Sequence, residues 1–112
     1  MAWLEGAQWY LPAPVIAEIQ EGAESDPSQT RRAQINARLN QLFNEQPECV
    51  LPWDSETARI WGRLRHSRDV RLKPQALWDS LIDAMGVRYD MAIATRNGSD
   101  FRHAKTFNPW KD

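Results

Sequence analysis

The sequence is short of cysteine, glycine and long apolar runs, and each shortage closes a class of function. A single cysteine, Cys49, among 112 residues can close no internal disulfide and cannot build a zinc site alone, which suits a reducing compartment. Only five glycines occur, and Gly98 stands alone in its turn, so there is no glycine-rich phosphate loop. A Ser-His-Asp context is missing as well. Polar and charged residues interrupt every apolar run well before the ~20 residues needed to span a bilayer. The acidic, Trp-bearing start lacks the basic-then-apolar pattern of a secretion signal. We therefore expect a cytoplasmic protein with no membrane partner. An excess of one charge is also lacking: 14 Lys+Arg stand against 15 Asp+Glu, which excludes a globally polybasic nucleic-acid binder. No internal repeat or low-complexity tract is visible. At roughly 100–150 residues per domain, residues 1–112 are expected to form one domain.

What is plentiful is tryptophan, six in all, which implies a core or interface built on large rings. Charge is also patterned. Glu5, Glu18, Glu21, Glu24 and Asp26 occur before any Lys or Arg, whereas Arg59, Arg63, Arg65, Arg68, Arg71 and Lys73 are opposed by Asp69 alone. Such a chain can carry an acidic pocket beside a basic rim.

Short apolar runs alternate with helical patterns. Trp9–Pro12, Cys49–Trp53, Asp90–Thr95 and Lys105–Asn108 read as strands. Pro14 opens a helix with Val15, Ile16 and Ile19 on one face, and Asp26-Pro27 reads as the start of another carrying Ile35, Leu39, Leu42 and Phe43. Asp54 is placed to cap a third helix, and Pro74 opens a fourth with Leu77, Trp78, Leu81, Ile82 and Met85, stopping at Gly86. The run around Ala92–Ala94 lacks alternation, as in a parallel strand covered on both faces. Strands separated by helices predict an α/β domain with a mostly parallel sheet.

Open parallel sheets bind ligands beyond the carboxyl ends of their strands. Three acids fall at such places. Glu18 follows the Trp9 strand, Asp100 lies in the turn after the Ala92 strand, and Asp79 sits early in the Pro74 helix. Asp79 stands about 60° outside that helix's apolar arc at ~100° per residue. Two carboxylates ~4 Å apart repel by roughly 4 kcal/mol at an effective dielectric near 20, so converging acids need a cation among them. Oxygen ligands select Mg²⁺ or Mn²⁺ over zinc.

Five stretches in order carry a resemblance: PAPVIAEIQEG (12–22), VLPWD (50–54), WDSLIDA (78–84), AIATRNGSDF (92–101) and NPW (108–110). Together they resemble PIN-domain proteins of the VapC/FitB toxin type. The resemblance implies a three-layer α/β/α fold. It also implies an endoribonuclease that hydrolyses RNA phosphodiesters with Mg²⁺ or Mn²⁺, paired with a cognate antitoxin. Glu18, Asp79 and Asp100 match the family's acids, while Asn97 and Thr95 match its supporting turn. Metal-assisted hydrolysis needs no covalent nucleophile, because the cation activates water and neutralises charge on phosphate. The arginines at 59, 63, 65, 68 and 71 would then contact RNA backbone.

The chain departs from the family in one respect. Family members begin with a strand ending in Asp-Thr-Asn or similar, whose aspartate is a principal ligand, and nothing like it occurs here. Met1–Gly6 resembles the tail of the family's first helix, so the chain is expected to be N-terminally truncated or mis-started. Asp83, four residues after Asp79, is a further candidate ligand on the same helix side. Its bland alternative is a solvated acid on an exposed face. His66 and His103, set among basic residues, are expected at the surface, and Trp53, Trp61, Trp78 and Trp110 are expected as packing anchors. Unpaired strand edges and exposed rings favour a homodimer. The competing functional reading is an inactive relic that keeps the fold and binds only a partner protein or itself.

Overall fold

The expected alternation is present in the computed structural model, which describes residues 9–109. Trp110 and the Met1–Gly6 stretch lie outside the described residues. The chain divides into two compact units, Met1–Pro52 and Trp53–Asp112.

In the first unit, strand β1 (Leu11–Pro12) leads directly into helix α1 (Ala13–Ser25), whose opening is favoured by proline in its first turn. Helix α2 (Gln29–Glu45) begins later than Asp26-Pro27 suggested. Its cap is Ser28, whose hydroxyl accepts from the Arg31 amide at 3.2 Å. Asp26 instead builds the preceding turn, accepting from the Ser28 amide at 2.8 Å and pairing with Arg31 at 2.9 Å. Gln20 and Asn36 join α1 to α2 by a 2.9 Å hydrogen bond, and Pro14, Ala23 and Leu39 are buried. A 3₁₀ turn (Pro47–Cys49) then delivers β2 (Val50–Leu51), which pairs in parallel with β1.

In the second unit Asp54 caps helix α3 (Ser55–Arg65) as expected, accepting from the Thr57 amide at 2.8 Å and hydroxyl at 2.7 Å. Glu56 near its start and Arg63 and Arg65 near its end complement the helix dipole. The basic stretch continues after α3 as a short helix α4 (Arg68–Leu72). Helix α5 (Leu77–Tyr89) packs against α3: the Trp61 indole donates to the Ser80 hydroxyl at 3.0 Å, and Arg88 bridges Asp54 at 2.9 Å and Glu56 at 3.3 Å.

Gly86 does not end α5. It lies buried inside the helix, where a Cβ would stand 2.6 Å from the Ala104 Cβ and 3.2 Å from the Met91 carbonyl. Glycine is there for close approach, and the helix closes instead at Asp90, in left-handed conformation with φ of 51°. That overrun consumes the start of the expected third strand. Only Ile93–Ala94 (β3) pairs, in parallel, with β4 (Thr106–Phe107). Ala94 is exposed, so β3 is not covered on both faces. Every described pairing is parallel, but the strands form two two-stranded pairs, one per unit, and not one sheet. Each described strand has a single hydrogen-bonded neighbour. No helix among the described residues is long and apolar enough to cross a membrane.

Candidate active site

The sequence-selected acids of the second unit lie within electrostatic reach of each other. Asp79 occupies the first turn of α5, half-buried, and Asp100 closes the 3₁₀ turn Gly98–Asp100 after β3. The Asp79 carboxyl is pushed above its ordinary value, first by burial and second by the nearby Asp100 carboxylate. The turn that delivers Asp100 is built locally. The Thr95 hydroxyl accepts from the Asn97 amide at 3.0 Å, and the Asn97 carbonyl accepts from the Asp100 amide at 3.0 Å. A Cβ on Gly98 would lie 2.9 Å from the Thr106 hydroxyl, so the small residue lets the turn sit on β4. The buried Gln75 amide then donates to the Asp100 carbonyl at 2.6 Å.

Glu18 lies exposed on α1 in the first unit. Among the described residues no group of three or more His, Cys, Asp or Glu side chains is placed to hold a metal ion. Within the second unit the structure places two of the expected acids, Asp79 and Asp100, near each other.

Asp83 is neither a solvated acid nor a ligand open to a cation. It is 1% exposed, and both carboxylate oxygens are engaged. They accept from the backbone amides of His103 at 3.2 Å and Ala104 at 2.8 Å, with Gln75 at 3.5 Å and the His103 ring Nδ1 at 2.8 Å completing the set. A buried carboxylate is tolerable when so surrounded. His103 is likewise not a surface residue among bases, because carboxylates flank its ring: Asp83 at Nδ1, and Asp69 at 3.7 Å from Nε2. His66 is exposed, as expected.

The basic stretch divides. Arg59, Arg63, Arg68 and Arg71 are exposed. Arg65 is not available in the same way: its guanidinium lies 5.7 Å over the Trp61 ring and donates to the Gln75 carbonyl at 3.1 Å. Trp61 also meets Trp53 edge-on, with centroids 6.5 Å apart, so both rings are packing anchors. Arg102, which no sequence signal singled out, donates to the carbonyls of Asp69 at 3.2 Å and of Lys73.

No family model matches the chain. It is 29% identical to Toxin FitB of Neisseria gonorrhoeae, covering 100% of this chain and 85% of that protein. It is 28% identical to VapC ribonuclease Y4jK of Sinorhizobium fredii, covering 99% and 84%. The crystal structure of FitAcB from Neisseria gonorrhoeae superposes with a TM-score of 0.76 at 24% identity, over 97% of this chain and 83% of that one. The fold is thereby a PIN-like α/β fold. In sequence and in fold the chain is thus similar to VapC/FitB-type proteins.

Proposed function

We propose that residues 1–112 form a single PIN-like domain, the toxin of a toxin–antitoxin pair, and that it hydrolyses RNA phosphodiesters with Mg²⁺ or Mn²⁺. Relatives named as a toxin and as a ribonuclease support the coarse reading. The observation that carries the finer one is the Asp79–Asp100 pair, in which burial and like charge already disfavour one of the two ionised carboxylates. An all-oxygen pair of this kind fits a hard divalent cation, with Asp79 and Asp100 as its ligands, and Glu18 of the first unit is the further acid tested beside them. The cation would supply positive charge that offsets both the carboxylate repulsion and the charge of a phosphodiester. Thr95 and Asn97 shape the turn presenting Asp100, and Arg59, Arg63, Arg68 and Arg71 bind the RNA backbone without reading sequence.

Solved relatives that are complexes with an antitoxin support the same kind of partner here. Exposed Trp9, Phe43, Leu72 and Leu77 support self-association as well. Such a pair would act in the cytoplasm. A partner-binding relic without catalysis is the second reading, favoured by the exposed apolar side chains Phe43, Leu72 and Leu77.

The deciding experiment is cleavage of RNA by the purified chain with Mn²⁺ against chelator, in wild type, Asp79→Asn, Asp100→Asn and Glu18→Gln. The nuclease reading expects metal-dependent cleavage lost in each variant with folding retained. A wild type inert at every Mn²⁺ concentration selects the relic.

A further inference from the structure

The segment following Asp100 touches three other parts of the second unit at once. Its His103 and Ala104 amides and the His103 ring fasten it to Asp83 on α5. The other ring nitrogen of His103 faces the Ser67 hydroxyl at 3.4 Å and Asp69 at 3.7 Å, at the start of α4. Arg102 reaches the carbonyls of Asp69 and Lys73, capping the other end of that five-residue helix. Gln75, buried between them, donates both to Asp83 at 3.5 Å and to the Asp100 carbonyl at 2.6 Å.

We propose that Asp83 and His103 are positioning residues that hold the Asp79–Asp100 pair and the basic helix α4 in one frame. The consequence for metal and RNA rests on the ribonuclease reading; the frame itself does not. Burying a carboxylate is costly unless nearly every lone pair is used, and here donors from the loop use them. A short helix such as α4 is not stable alone, so His103 and Arg102 fix where Arg68 and Arg71 stand relative to the acids. Asp83 thus acts through the loop and not as a ligand, and His103 links the loop to both helices.

The test uses the full chain, comparing wild type with Asp83→Ala, His103→Ala and the conservative Asp83→Asn. Amide hydrogen exchange is followed without metal, and Mn²⁺ binding is titrated separately. In the alanine variants, exchange at residues 68–72 and 102–104 is expected to rise about tenfold or more, while α3 and the middle of α5 keep their protection. The Mn²⁺ dissociation constant is expected to rise by about tenfold, as for loss of an outer-shell partner, and Asp83→Asn, which keeps an acceptor oxygen, to recover part of both effects. Should Asp83→Ala fail to fold, His103→Ala leaves the carboxylate its backbone donors and gives the same readout. Unchanged exchange at His103 and Ala104, or an equal rise throughout α3 and α5, overturns the frame. Loosened exchange with unaltered Mn²⁺ affinity overturns the positioning of the acids. A wild type that takes up no Mn²⁺ while the exchange pattern holds defeats the ribonuclease reading and leaves the frame standing.

Discussion

Asp79 carries a cost in the metal-free chain that a functional carboxylate is expected to carry. Its carboxyl titrates above the ordinary value because burial and Asp100 disfavour the charge. For an acid raised in this way the native state binds more protons than the unfolded one in the window between the two values. Stability contributed at Asp79 therefore falls as pH rises through that window and stays lost at neutral pH. Asp79→Asn should raise the melting temperature of the metal-free protein at neutral pH, and the gain should shrink on acidification. Adding Mn²⁺ should raise it in wild type and not in the variant. Thermal melts with and without metal check both, and an Asn variant less stable than wild type at neutral pH contradicts the assignment. Asp79 and Asp100 were legible in the sequence because helix starts and post-strand turns are local features. Asp83 and His103 were not, since the donors that bury the carboxylate lie twenty residues further along the chain. Nothing in the spacing of the two residues announces that they meet.

Helix ends show where local chemistry suffices and where it is overruled. Asp54 was readable as a cap, and the structure adds a long-range partner, Arg88, that spacing could not supply. Its carboxyl is held well below the usual range, first by Arg88 and then by Thr57. The sign is opposite to that of Asp79: this stability is present above the ordinary carboxylate range and is lost as pH falls below it. Asp54→Asn should therefore lower the melting temperature at neutral pH and flatten its decline in acid, as a melt series across pH will show. Gly86 looked like a helix stop, yet tertiary contact with Ala104 overrides its poor helix propensity. Gly86→Ala should cost about 1–3 kcal/mol in denaturant unfolding through overpacking against Ala104, and an unchanged unfolding midpoint would contradict that close approach. The strands were located but overestimated in length, because helix closure at Asp90 and the 3₁₀ turns occupy residues that composition alone assigns to extended chain.

At the scale of the molecule, two properties follow from what the surface displays. Arg59, Arg63, Arg68 and Arg71 are exposed, and on the proposed ribonuclease reading each Arg→Ala change should weaken RNA binding and lower the slope of log affinity against log salt by about 1. Filter binding across salt concentrations measures this, and an unchanged slope would assign the stretch to a different partner. The first unit also carries an apolar groove of about 720 Å³, lined by Trp9, Leu11, Ile19, Ile35, Leu39 and Leu42 among others. With Phe43 42% and Leu77 54% exposed, light scattering should find twice the 13.0 kDa chain mass, and a monomer at all concentrations contradicts self-association. The proposed role of the Asp79–Asp100 pair is to bind a divalent cation. Anomalous diffraction from crystals soaked in Mn²⁺ tests it directly. A manganese peak within bonding distance of both carboxylates is the predicted result, and manganese bound elsewhere, or no peak beside a well-ordered pair, contradicts it.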